Sequence, residues 1–133
     1  MSDNAALTEE QQSAWIKEQY QAATKYLATK GIITSTVILE QSRYLVPSIA
    51  VWLLKDATGQ LYWVLSAQLS TDHVHAETAN NAREAMRHFS MKWQLQAENM
   101  LSSEDCKQHE FGQRLVSQAD KLYDLYNDDV LWQ

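Results

Sequence analysis

"SIAVWLLKDATGQLYWVLSA", residues 48–67, decides how this chain folds, because it reads as two apolar runs joined by a turn. The runs "SIAVWLLK" and "QLYWVLSA" are rich in β-branched, aromatic and aliphatic side chains, which suit a pleated, buried surface. Between them, "DATG" offers Asp56 to initiate a turn and Gly59 to take a positive φ. A β-hairpin is predicted. If that four-residue loop pairs Lys55 with Gln60, one face carries Ala50, Trp52, Leu54, Leu61, Trp63 and Leu65. The other then carries Ile49, Val51, Leu53, Tyr62 and Val64. Both strands are apolar on both sides, so the sheet is expected to be covered on both faces, by helices of the chain or by a second molecule.

Upstream, "TVILEQS" is a candidate third strand, and Pro47, which lacks an N–H, marks a strand start, an edge or a bulge. Before it lies a helix. Thr8 caps it, Gln11 completes a capping box, and Glu9 and Glu10 sit at its positive end. Trp15, Ile16, Tyr20, Ala23, Tyr26 and Leu27 form its apolar stripe, and Gly31 stops it. Downstream, "STDHVHAET" reads as a connection into a helix whose stripe is Ala82, Met86, Phe89, Trp93, Ala97 and Met100. Ser102 and Ser103 followed by Glu104 and Asp105 look like a new N-terminus, opening a third helix with Phe111, Leu115, Ala119, Leu122 and Tyr126 inward. The expected fold class is α+β: a three-stranded antiparallel sheet with one N-terminal and two C-terminal helices, α-β-β-β-α-α, in a single domain over residues 1–133.

The 133 residues are 45% hydrophobic and 21% charged, with 3 glycines and 1 proline, the composition of an ordered globular chain. A formal charge of −6 and a pI near 5.1 oppose binding to nucleic acid or to an anionic membrane surface. The lone Cys106 has no internal disulfide partner, and "MSDNAALTEEQQ" has neither the charge nor the apolar stretch of a signal peptide, so a cytoplasmic location is expected. The most apolar window is too short to span a bilayer.

Four clusters could carry chemistry. In "REAMRHFSMKW", Arg83 and Arg87 stand one helical turn apart and could grip an anion together, but the solvated flank of an amphipathic helix is the simpler explanation. "DHVHAE" puts His73 and His75 on one side of an extended segment, with Asp72 and Glu77 as nearby oxygen donors. A metal there would need a third ligand, from His88 or Glu84. Cys106 and His109 share a side of the third helix, but Glu104, Asp105 and Glu110 oppose a thiolate. The fourth is aromatic: 5 tryptophans and 6 tyrosines exceed what a core of this size usually needs. Trp52, Tyr62 and Trp63 on the sheet, and Trp132 in the tail, are either packing or an exposed patch that meets a partner. No nucleotide-binding or hydrolase motif is present, and no cofactor is expected.

The segments "SRYLVPSIAVW" and "REAMRHFSMKWQLQAENM" resemble an uncharacterised bacterial family, a domain of unknown function made of small single-domain proteins. That resemblance implies no catalytic residue and no substrate. From the residues, the expected function is a non-enzymatic protein-binding or adaptor domain, with a protein partner or self-association as a homodimer, using Trp52, Tyr62, Trp63, Arg83, Arg87 and Trp132. The alternative is a small metal- or anion-binding enzyme centred on His73, His75 and His88 with Arg83 and Arg87. A third reading is a small-molecule cavity lined by Trp63, Phe89 and Trp93.

Overall fold

The computed structural model describes residues 7–45, 49–67 and 71–132. Its chain is α+β and divides into two compact units, Met1–Ala76 and Glu77–Gln133. The reading of Pro47 lies outside the described residues.

The first unit holds helix α1 (Glu9–Thr29) and strands β1 (Thr34–Val37), β2 (Arg43–Leu45), β3 (Ile49–Asp56), β4 (Leu61–Ala67) and β5 (Thr71–His75). All pairings are antiparallel, in the order β1-β3-β4-β5, with β2 also paired to β3. The sheet therefore has five strands, where three were expected. Two physical facts account for the difference. "TVILEQS" does not run as one strand: β1 ends at Val37, a single 3-10 turn covers Leu39–Gln41, and β2 resumes at Arg43. In the gap, Ile38 N–H donates to Leu53 O at 2.8 Å, and the buried Ser42 hydroxyl accepts from Leu53 N–H at 3.0 Å. A side chain there replaces a missing rung of the ladder. The fifth strand, "TDHVH", is polar and lacks apolar alternation, so its strand character comes from pairing with β4, Tyr62 against His75 and Val64 against His73.

The hairpin is present, but its register differs from the expected one by one residue. β3 runs on through Asp56, whose N–H donates to Gln60 O at 2.8 Å, leaving a three-residue loop, Ala57 to Gly59. Asp56 Oδ1 accepts from the Thr58 hydroxyl at 2.7 Å and from the Thr58 and Gln60 amides at 2.9 Å, while Gly59 takes φ +94°. These bonds hold the Asp56 carboxyl below its ordinary pKa, the Thr58 hydroxyl contributing most. Lys55 consequently faces Leu61, and β4 is turned over relative to β3. Ala50, Trp52 and Leu54 share a face with Tyr62 and Val64, and that face packs on Ala23 and Leu27 of α1. Ile49, Val51, Leu53, Trp63 and Leu65, on the other face, are buried as well. Each such large side chain contributes on the order of 1.5–3 kcal/mol by leaving water.

Helix α1 has the ends its sequence foretells. The Thr8 hydroxyl accepts from Gln11 N–H, and the Gln11 side chain accepts from Thr8 N–H. At the other end Gly31, at φ +81°, allows Ile32 N–H to reach Leu27 O and its own N–H to reach Ala28 O, so the last carbonyls are satisfied.

The second unit is a helical hairpin, α2 (Ala82–Leu101) and α3 (Cys106–Tyr126), followed by a 3-10 turn at Asp129–Trp132. Asn81 caps α2 by accepting from Glu84 N–H at 2.9 Å. Ala82, Met86, Phe89, Trp93 and Ala97 of the expected stripe are buried. The break after Leu101 is real, though Asp105 is the cap of α3, accepting from Lys107 N–H at 2.8 Å, while the Ser103 hydroxyl accepts from Asp105 N–H. On α3 the inward row is Gly112, Leu115, Ala119 and Leu122; Phe111 is 46% exposed, contrary to expectation. The reason is the close approach of the helices at Gly112, where an added Cβ would stand 2.9 Å from Met100 Cβ and 3.3 Å from Ala97 O. Further along, the buried Ser90 hydroxyl donates to Ala119 O at 2.7 Å. Among the described residues no helix is long and apolar enough to cross a membrane.

Candidate functional site

An open groove of about 380 Å³ runs along the first unit between α1 and the β1–β2 side of the sheet. Ser13, Ile16, Lys17 and Tyr20 come from successive turns of α1; Val37 ends β1, Leu39 opens the 3-10 turn, and Tyr44 and Trp52 come from β2 and β3. The break in the edge strand shapes one wall, because leaving the ladder at Leu39 puts that side chain out at 58% exposure. Trp52, 1% exposed, is the rigid floor. Tyr20 meets its ring edge-on at 5.4 Å and Tyr44 lies tilted against it at 5.1 Å, while Trp52 Nε1 donates to Ser66 Oγ at 3.3 Å. Burial raises the Tyr44 phenol above its ordinary pKa.

The sheet aromatics expected at the surface are not there. Tyr62 and Trp63 are buried like Trp52, and Trp63 Nε1 donates to Ala76 O at 3.1 Å. A sheet whose strands are apolar on both sides puts its largest rings inside. Trp63 in the first unit and Phe89 and Trp93 in the second, read from the sequence as the lining of a cavity, are each buried.

His73 and His75 do share one side of β5, as their spacing implies, with Tyr62 between them at ring distances of 6.0 and 5.0 Å. The Tyr26 hydroxyl lies 3.0 Å from His73 Nδ1 and 3.5 Å from Asp72 Oδ1, and Gln60 Nε2 lies 3.4 Å from His75 Nδ1. Burial, with help from the Asp72 charge, pushes the Tyr26 phenol up to about 12. The Tyr26 hydroxyl donates to Asp72 Oδ1, and its bond with His73 Nδ1 runs in the direction set by which ring nitrogen of His73 carries the proton. His88 belongs to the second unit, with its ring 6.4 Å from that of Phe89. Among the described residues no group of three or more His, Cys, Asp or Glu side chains is placed to hold a metal ion.

Of the two arginines read as a possible anion grip, Arg83 is engaged within its own unit. Arg83 Nη2 meets Asp129 Oδ1 at 2.6 Å, its Nε donates to Tyr126 O at 2.9 Å, and its guanidinium lies over the Tyr126 and Trp132 rings at 5.4 and 5.9 Å. Arg87 stands apart from that cluster, 4.0 Å from Glu84. Trp132 Nε1 donates to Leu125 O at 3.0 Å, so the tail docks on the helix that precedes it. Cys106 is exposed at the first turn of α3.

Lys17, Tyr20, Leu39 and Tyr44 were not singled out by sequence reasoning as binding residues. Periodicity had assigned Tyr20 to packing, and no spacing links residues drawn from five elements. The one available signal was the polar interruption "LEQS" after an apolar run, which marks the place where the edge leaves the sheet.

No curated protein and no solved structure matches the chain. A family described as a domain of unknown function, DUF4826, matches it over residues 9–132, a span that takes in all three helices and the whole sheet described above, and the chain belongs to that family.

Proposed function

We propose that the protein is a non-enzymatic binding or adaptor module acting in the cytoplasm, and that the groove of the first unit receives a protein partner. The observation that supports this reading is the groove itself: an apolar trough with a rigid aromatic floor, left open to water beside an exposed Leu39. Aromatic rings locked by their neighbours lose little freedom on binding, which is why such side chains anchor interfaces.

A photo-crosslinking residue at position 39, expressed in the native host, tests it. A discrete adduct with another protein is expected, weakened by Tyr44→Ala and absent when the crosslinker stands at the exposed Lys121 on α3. The same adducts from both positions, or none from position 39, would overturn it.

A further inference from the structure

We infer that the groove takes a short acidic segment of a partner protein that carries an aliphatic or aromatic anchor, an inference that rests on the binding-module reading above. The groove's size and shape come first. About 380 Å³ accommodates a large side chain with some flanking backbone, and the trough is open along its length. Small-molecule sites enclose most of their ligand, roughly 70–90% of its surface. An open trough suits an anchor projecting from a longer chain.

Charge gives the second half. Among the described residues that line the groove, Lys17 is the sole charged one and none is a carboxylate. On α1 the positions one turn either side of Lys17 are Ser13, Ala14, Tyr20 and Gln21, so no acid on the helix neutralises it. No ion pair with Lys17 occurs among the described residues. On a chain with 17 acidic and 11 basic residues, an apolar groove bearing one unneutralised ammonium and no acid is a departure from the general field. It favours a carboxylate beside the anchor. The Tyr20 and Tyr44 hydroxyls also make no hydrogen bond to described protein groups, and so are available to a ligand's backbone carbonyls.

The test uses the full-length protein and a fluorescein-labelled peptide with leucine and tryptophan at its centre and glutamates on both sides. Its counterparts carry lysines in place of the glutamates, or serines in place of the anchors. The glutamate peptide is expected to bind more tightly than the lysine peptide by about three- to tenfold at low salt, the scale of one or two exposed charge pairs, with the ratio shrinking as salt rises. The serine peptide is expected to lose binding. Lys17 is exposed, so Lys17→Glu keeps the fold, which circular dichroism checks, and should reverse the charge preference. Equal binding of both charged peptides, or an unchanged ratio in Lys17→Glu, would overturn the inference. So would N-acetyl-leucine binding as tightly as the glutamate peptide, the mark of a small-molecule site. If no peptide binds while the position-39 crosslink persists, the acidic class is wrong and the binding-module reading stands; loss of the crosslink removes both.

Discussion

The Ser42 hydroxyl, 6% exposed as a residue, carries the sheet across the break between β1 and β2. It accepts from Leu53 N–H and donates to Ile38 O, so both ends of the missing rung are satisfied by one side chain. Ser42→Ala is expected to leave the Leu53 amide buried without an acceptor, at a cost of about 1–3 kcal/mol in urea denaturation. Ser42→Thr, which keeps the hydroxyl, should recover part of it. A second residue-scale effect concerns pH. The Tyr26 phenol titrates near 12 in the folded chain against an ordinary 10.0, so the folded state holds its proton after the unfolded state has lost it. Stability from this group is complete below pH 10.0 and is lost as pH rises toward about 12. Denaturation midpoints of the wild type should therefore fall over that window more steeply than those of Tyr26→Phe; parallel curves would show that burial of Tyr26 has no such effect.

At the scale of elements, the inner faces of the helices follow from local chemistry, while the close approach of α2 and α3 at Gly112 depends on a single absent atom. Gly112 has no Cβ, and α2 and α3 meet there. In Gly112→Ala the new methyl would press on Met100 Cβ and Ala97 O, which are held by a helix backbone and cannot swing aside. Overpacking costs about 1–3 kcal/mol, and the gain in helix propensity returns roughly 1. A net loss of up to about 2 kcal/mol in thermal or urea unfolding is expected, with Ser90 and Ala119 keeping their hydrogen bond further along the hairpin. The Arg83 cluster belongs to the same scale. Two arginines one turn apart on α2 looked alike in sequence, and only the end of α3 at Tyr126 and the turn at Asp129–Trp132 gave Arg83 a carbonyl, a carboxylate and two rings to hold.

At the scale of the whole molecule, surface composition bears on association. Met91 and Leu95, one turn apart on α2, are 48% and 64% exposed and point away from its buried row. Apolar surface of this kind is what the homodimer expected from the sequence would cover. A native mass spectrum of the untagged protein is then expected to contain twice the 15.3 kDa chain mass, and Leu95→Glu should return it to the single-chain mass. A single-chain mass for the wild type at micromolar concentration would remove the homodimer.

The sequence by itself determined the three helices, the two ends of α1, the presence of the central hairpin and the α+β class, because each depends on side chains within a few residues of one another. Thr8 and Gln11, Gly31, and the stripe from Ala82 to Ala97 act along one helix, where neighbours in space are neighbours in sequence. The tertiary structure decided what depends on partners far along the chain. Polar "TDHVH" becomes a strand because β4 supplies its hydrogen bonds, and the edge splits because Ser42 can stand in for backbone. The Asp56 turn moves the register by one residue and carries Tyr62 and Val64 to the α1 side. The groove over Trp52 belongs to this second group: its walls come from elements whose meeting is fixed by burial and pairing, and neither leaves a period or a motif to read.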